Sequence, residues 1–337
     1  YTTLFRSLRL GALVDTEYAA TTDATATGDD LNGVDDEDGV TLPSLTAGAP
    51  ATIPVVASNN TGAAAYLNAW IDYNNNGVFT DAGEQIAANT AVATGTTNST
   101  FNLNITVPAS AVTGTNLGMR ARISNDNSPG STGAGGVGEV EDYVVNIAQP
   151  TTDFGDYSLF SVVSSTANSN LRLGALTDTE YVATTNATAT GDDITGSDDE
   201  DSITFPTMIA GAPATIAAVV TNTTGTTAYL NAWIDFNGNG VLSDPGEQIT
   251  VNGAIATGTS NSAIGGSITI PATTLTGVPL GARVMLTSAS SPATSGSVGT
   301  GEIEDYVVTI TAPTTDFGDF SGFADASQGV SPSLRMG

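Results

Sequence analysis

Carboxylates crowd into two short stretches of this sequence. Gly28–Val40 (GDDLNGVDDEDGV) sets Asp29, Asp30, Asp35, Asp36, Glu37 and Asp38 within ten residues, and Gly191–Ile203 (GDDITGSDDEDSI) repeats the arrangement with Asp192, Asp193, Asp198, Asp199, Glu200 and Asp201. No Lys or Arg interrupts either copy. Two carboxylates about 5 Å apart repel by roughly 3 kcal/mol at an effective dielectric of about 20. A folded chain can splay such residues into water, protonate some of them, or bind a cation. Gly and Asn among the acids permit tight turns, so the carboxylates can converge. A divalent cation is then the simplest answer, and an all-oxygen ligand set points to Ca2+. A solvated acidic loop is the plainer alternative.

A second motif runs Asp72-Tyr-Asn74-Asn-Asn76-Gly77-Val78, followed by Asp81 and Glu84; its copy keeps every oxygen as Asp235, Asn237, Asn239, Val241, Asp244 and Glu247. Side-chain oxygens at loop positions 1, 3 and 5, Gly at 6 and a backbone carbonyl at 7 match the front half of an EF-hand loop. The later acids depart from that pattern, and the segment before the loop reads as a strand, so no EF-hand helix enters. A plain Asx-rich hairpin is the alternative.

A third motif, GEVEDY at Gly138–Tyr143, returns as GEIEDY at Gly301–Tyr306. Its Glu139 and Glu141 share one strand face and Asp142 takes the other. Acids flanking a core strand need partners, either Arg9 and Arg120 (repeated as Arg172 and Arg283) or a metal. On the metal reading Glu141, Asp142, Glu304 and Asp305 are ligands. Asp15 and Glu17, repeated as Asp178 and Glu180, join the candidate set just upstream of the acidic stretches. So do Asp153 and Asp156 of a DFGD turn, which returns with Asp316 and Asp319. Because DFGD follows GEVEDY so closely, a calcium ion shared near the joint between modules is expected to fix their angle.

All these motifs recur at an offset of 163 residues with no insertion, as do LRLG (Leu8–Gly11, Leu171–Gly174) and AGAPATI (Ala47–Ile53, Ala210–Ile216). Such self-similarity marks a repeated module. The expected domains are 1–149, a module lacking its head; 150–312, a complete module; and 313–337, the head of a third. This reads as a window cut from a longer array. Tyr1–Ser7 has no counterpart in the repeat and reads as an artefact. Within a module, Ile53, Val55 and Ala57 alternate with their neighbours, as do Phe101, Leu103, Ile105 and Val107, and Leu117, Met119, Ala121 and Ile123. About seven short strands per module, separated by turn signals, predict an all-β fold: tandem Ig-like or jelly-roll-like β-sandwiches with acidic calcium-binding loops.

Composition narrows the function. Of 337 residues, 35 are acidic and 7 basic, a net charge of −28, which disfavours nucleic acid and anionic membrane surfaces as partners. With no Cys and no His, thiolate and imidazole chemistry are excluded. No apolar run reaches the ~18 residues of a membrane span. The missing initial Met leaves room for a removed signal peptide.

The ordered set LGALVDTE, ATGDD, DDEDGV, AWIDYNNNG, GEVEDY and DFGD resembles the GEVED domain family across essentially the whole chain after residue 7. Ser202 in place of Gly39 and Ile303 in place of Val140 are small departures. The resemblance implies a secreted or cell-surface bacterial protein with a structural or adhesive role and no established catalytic residues. The expected function is therefore a calcium-stiffened structural repeat of an extracellular stalk, adhesin or filament, not an enzyme, whose partners are neighbouring copies of the module. Carbohydrate-binding modules are the alternative, with surface glycans as partners, although Trp70 and Trp233 both fall in apparent core strands. Duplicated paired acids make a hydrolase the weakest of the three readings.

Overall fold

The structure is a computed structural model of the chain and describes residues 7–14, 20–28, 36–127, 129–193, 198–319, 321, 323–324 and 326–330. It divides into two compact units, Tyr1–Pro150 and Thr151–Gly337.

The first unit contains β1 (Leu8–Leu10), β2 (Leu45–Thr46), β3 (Pro50–Asn59), β4 (Ala65–Ile71), β5 (Gln85–Val92), β6 (Thr96–Thr106), β7 (Asn116–Ser124) and β8 (Gly138–Ala148). They form a three-stranded sheet, β1-β3-β6, and a five-stranded sheet, β2-β8-β7-β4-β5. The period-2 apolar pattern decides which faces meet. Leu8, Leu10, Ile53, Val55, Ala57 and Leu103 on the first sheet share one core with Leu67, Ala69, Ile71, Met119, Ala121 and Ile123 on the second. Each large aliphatic side chain buried this way contributes about 1.5–3 kcal/mol. Two sheets closing on one core make a β-sandwich.

The second unit repeats the plan with β9 (Thr152–Phe154), β10 (Val163–Thr166), β11 (Leu171–Leu173), β12 (Met208–Ile209), β13 (Pro213–Asn222), β14 (Ala228–Ile234), β15 (Gln248–Ile255), β16 (Thr259–Thr269), β17 (Pro279–Thr287) and β18 (Gly296–Thr311). Its sheets run β11-β13-β16 and β15-β14-β17-β18-β10-β9, with β12 also on β18. The extra strands β9 and β10 come from the head of the module. β10 pairs in parallel with Gly296–Thr300, so β18 begins ahead of the position where β8 begins in the first unit. A second core forms beneath the head, where Tyr157, Phe160 and Val163 pack on Trp233, Met285 and Ile303. A final hairpin pairs β19 (Thr315–Phe317) with β20 (Ser327–Gly329).

Candidate metal centre

The paired glutamates of GEVEDY project from the closing strand toward the acidic loop. Glu141 accepts the Gly39 N–H at 3.1 Å and the Tyr143 hydroxyl at 2.8 Å, and that hydroxyl in turn accepts the Val40 N–H at 2.9 Å. Glu139 accepts the Leu10 N–H of β1. The second unit repeats the clasp: Glu302 accepts Leu173 N–H, while Glu304 accepts from Ser202 and the Tyr306 hydroxyl, the latter at 2.6 Å. Ser202 fits where Gly39 stood because its own hydroxyl donates to Glu304. Burial pushes these carboxyls up, Glu139 and Glu302 to about 9 and Glu141 and Glu304 to about 8, partly offset by the N–H and O–H donors. Asp142 and Asp305 point to the opposite face, each paired 2.6 Å from its cross-strand neighbour, Arg120 or Arg283. The arginines thus pair with the aspartates, while the glutamates take backbone and tyrosine donors, and one buried oxygen each of Glu139 and Glu302 keeps no hydrogen-bond partner.

With its closing end pinned, the acidic loop of the second unit turns its carboxylates inward. One oxygen from each of Asp192, Asp193, Asp199 and Glu200 lies within 4.8 Å of the others, an arrangement able to hold a metal ion. Asp178 donates its N–H to Asp199 at 2.8 Å, and the Glu180 N–H donates to Thr152 O at 2.8 Å, which ties the head to this loop. Both oxygens of Glu180 and one each of Asp156, Asp192, Asp193 and Glu200 are buried with no hydrogen-bond partner. Burial, reinforced by the neighbouring charges, pushes Asp192 and Glu180 up to about 9 and Glu200 to about 12. Asp199 and Asp156 rise only to about 6, because backbone N–H groups favour their ionised forms. Buried carboxylate oxygens that face one another without a donor are a donor set that a cation could satisfy.

The Asp-x-Asn-x-Asn-Gly loop sits between β4 and β5 and, in the copy, between β14 and β15. Asp72 Oδ1 and Oδ2 accept the N–H groups of Asn76 (3.1 Å) and Gly77 (2.8 Å), closing the turn. Gly77 adopts φ +82°, which a side chain would strain. The amides of Asn74 and Asn76 both donate to Asp81, at 2.8 and 2.7 Å. Asp235, Asn237, Asn239, Gly240 and Asp244 reproduce every one of these bonds. Glu84 and Glu247 are buried beside the loop, and neither carboxylate finds a donor. Burial, then the charges of Asp72 and Asp81, raises Glu84; the same causes raise Glu247 to about 7. Asn74 and Phe236 N–H groups ease those shifts without reaching hydrogen-bond geometry. The side chains of Val78 and Val241 are exposed, as expected where only the backbone oxygen would serve.

The other candidate residues fall elsewhere. Asp15, Glu17, Asp29, Asp30 and Asp35 lie outside the described residues, leaving Asp36 (buried) and Asp38 from the first acidic stretch. Asp38 caps the Ala12 N–H at 2.8 Å and Asp201 caps Ala175 N–H at 2.9 Å, so both face the LRLG turn. Asp198 is exposed and accepts the Glu200 N–H. Asp153 and Asp156 fold back onto their own module: Asp153 accepts Ile303 N–H and Ser165 Oγ, and Asp156 accepts Gly191 N–H. Burial and the nearby Glu302 hold Asp153 well above the usual carboxylate range. Asp316 and Asp319 are exposed. Glu200, noted in the sequence only as part of the acidic run, completes the four-acid group, and the residues not singled out as ligands are Glu139, Glu302, Tyr143 and Tyr306, which pin the loop. Their signal was present in the motif itself, as glutamates two apart followed by Tyr on the same strand face.

Fold and site together define a class: a repeated β-sandwich whose closing strand clasps an acidic, oxygen-rich loop. The GEVED domain model matches residues 66–146 and 229–309, so the chain carries two GEVED domains in tandem. No curated protein matches the sequence. Among solved structures, red sea bream transglutaminase aligns at 12% identity and a TM-score of 0.22, over 80% of this chain and 30% of that one. The fibronectin(III)-like modules of Clostridium thermocellum CbhA align at 11% identity and 0.19, over 81% and 93%. The calcium binding domain CBD12 of CALX1.1 aligns at 10% identity and 0.20, over 78% and 93%. The chain spans under a third of the transglutaminase, and likenesses at such low identity and TM-score carry no function across. Among the described residues no helix is long and apolar enough to cross a membrane.

Proposed function

We propose that the chain is a calcium-stiffened, non-enzymatic structural repeat of an extracellular bacterial stalk, adhesin or filament. The observation that carries this reading is the convergence of Asp192, Asp193, Asp199 and Glu200, with buried carboxylate oxygens that meet no donor. Glu180 and Asp156 stand beside them as further ligands, and Asp235, Asn237, Asn239 and Glu247 form a separate oxygen set. Hard, oxygen-only donors in flexible loops suit Ca2+ better than Mg2+, which demands near-octahedral geometry. Millimolar calcium outside cells saturates even weak sites, and a site held 100-fold above its Kd contributes about 2.7 kcal/mol. Trp70 and Trp233 are each only 4% exposed, so neither offers a sugar-stacking platform, which favours scaffold over carbohydrate binding. Calorimetric titration with CaCl2 and melting in calcium or EGTA test the reading. Saturable binding with a raised Tm is expected. A Tm identical in both buffers, with no heat of binding, sinks it.

A further inference from the structure

The head of the second unit, residues 151–166, meets the rest of its sandwich in three places. β10 pairs in parallel with Gly296–Thr300 of β18. Tyr157, Phe160 and Val163 pack on Trp233, Met285 and Ile303, where Tyr157 N–H donates to Asp305 Oδ2 at 3.0 Å and the Phe160 ring lies 5.0 Å from the Arg283 guanidinium. Strand pairing and aromatic packing of this kind need no ion. The third contact differs in its chemistry. The DFGD turn carries Asp153 and Asp156, 2% and 0% exposed, into a region already filled with acids.

Asp156 Oδ2 accepts the Gly191 N–H at 2.5 Å, which seats its carboxyl at the start of the Asp192–Asp193 pair. Its Oδ1 is buried with no hydrogen-bond partner, as is Asp192 Oδ1. The Asn186 N–H donates to Asp156 O at 2.9 Å and the Ser158 N–H to Asn186 O at 2.8 Å, so the loop grips the turn on both sides of that carboxyl. Asp153 Oδ2 accepts Ile303 N–H and Ser165 Oγ, while the charges of Glu302, Asp199 and Glu180 act against it. Among the described residues of this unit both arginines are engaged elsewhere, Arg283 with Asp305 and Arg172 with Asn261. Docking the head therefore sets buried carboxyls against carboxyls, a cost that a cation held in common removes.

We propose that a calcium ion at the four-acid group is the clamp that docks the head: Asp156 is its ligand from the head, Asp192, Asp193, Asp199 and Glu200 are its ligands from the loop, and its release frees the head while the sandwich stays folded. The proposal rests on the calcium reading above and gives that site a conformational output. Five carboxylates, some of them bidentate, can supply the roughly six to eight oxygens that Ca2+ takes. A ligand set drawn from two segments binds the ion more tightly when the segments are together, and by linkage the ion favours the docked head by the same factor. The sandwich does not depend on the clamp, because its own core, which includes Leu173, Val220, Leu230, Val284 and Ile310, is separate from the apolar patch beneath the head.

Hydrogen exchange of the full chain at pH 7, in millimolar calcium and in EGTA, separates a clamp from a general gain in stability. The informative amides are those that bond across the boundary, on Tyr157, Ser158, Asn186 and Gly191. Mass spectrometry of peptides spanning 152–166 and 183–193 should show exchange at least about tenfold faster in EGTA, with β13 and β14 of the same unit changing far less. Asp156→Asn keeps the shape of the turn and an acceptor for the Gly191 N–H but withdraws a charged ligand. It should shrink the calcium-dependent difference at the head to about twofold or less, while calorimetry still records calcium binding at the other acids. Glu180→Gln changes a carboxylate outside the head, so it should raise the calcium concentration required and leave the protection of the head at saturation unchanged. Calcium binding in the parent chain with equal exchange of the head in both buffers overturns the clamp and leaves the calcium reading standing; absence of any heat of binding overturns both. Head and sandwich losing protection in parallel, or a calcium response unaltered in Asp156→Asn, overturns the clamp equally.

Discussion

Deprotonation should destabilise the calcium-free protein. In the second unit Asp192 and Glu180 are held at about 9 by burial and by surrounding carboxylates. In the unfolded chain each returns to about 4. Between those values the folded state binds more protons than the unfolded state, so stability is present in full below about pH 4 and is lost as pH rises toward 9. Each such proton contributes a slope of about 1.4 kcal/mol per pH unit, and two give about 2.7 kcal/mol per unit as an upper bound, since the groups interact. For a unit of this size, 1 kcal/mol moves Tm by roughly 2–4 °C. On the proposed reading calcium should reverse the balance, since its binding would expel the protons and stabilise the carboxylates as ions. Scanning calorimetry in chelator-stripped buffer at pH 5, 6, 7 and 8 should therefore show Tm of the second unit falling with pH. The same series in millimolar calcium should be flat or rising, and the gap between the two series should widen with pH. The binding enthalpy should also depend on buffer ionisation heat, reporting proton release. A calcium-free Tm that rises from pH 5 to 8 would refute the reasoning, because the acids would then be ionised and paired without any cation.

Three further outcomes follow from named contacts. Asp72→Ala combined with Asp235→Ala should remove two calcium ions per chain by calorimetry while the β-sheet circular dichroism persists; unchanged stoichiometry refutes the loop assignment. Arg283→Met strands Asp305 in a fully covered position and should cost about 3–5 kcal/mol, whereas Arg120→Met, at a half-exposed pair, should cost about 1 kcal/mol or less, both read from denaturant midpoints. Equal costs would show that the head does not seal the second pair. Tyr306→Phe removes the hydroxyl that joins Ile203 N–H to Glu304 and should cost about 1–3 kcal/mol, with no loss in Tyr66→Phe, whose ring lies outside the clasp.

Much of this was legible in the sequence wherever the controlling interactions are local. Ile53, Val55 and Ala57 alternate because one face of β3 meets the core. Asp72, Asn74 and Asn76 cluster because a turn with Gly77 at positive φ needs nothing beyond its own residues. The clasp was not legible as such, because Glu139 reaches Leu10 and Glu141 reaches Gly39, partners more than a hundred residues away. Whether Asp142 meets an arginine or a metal depends on the register of β7 against β8, which places Arg120 opposite it and which strand patterns leave open. The DFGD turn was hardest of all. Nine residues after GEVEDY, it stands nearer in sequence to the preceding acids than to Glu302 and Asp305, which it in fact approaches. Only the duplicated fold reveals what the turn does. Arg120–Asp142 and Arg283–Asp305 are the same residues in the same register, yet one pair meets water and the other does not. Side-chain identity cannot account for that difference; a covering segment can. The head is therefore part of the module's physics: it takes Arg283–Asp305 out of water and so sets how strongly that pair holds β17 to β18.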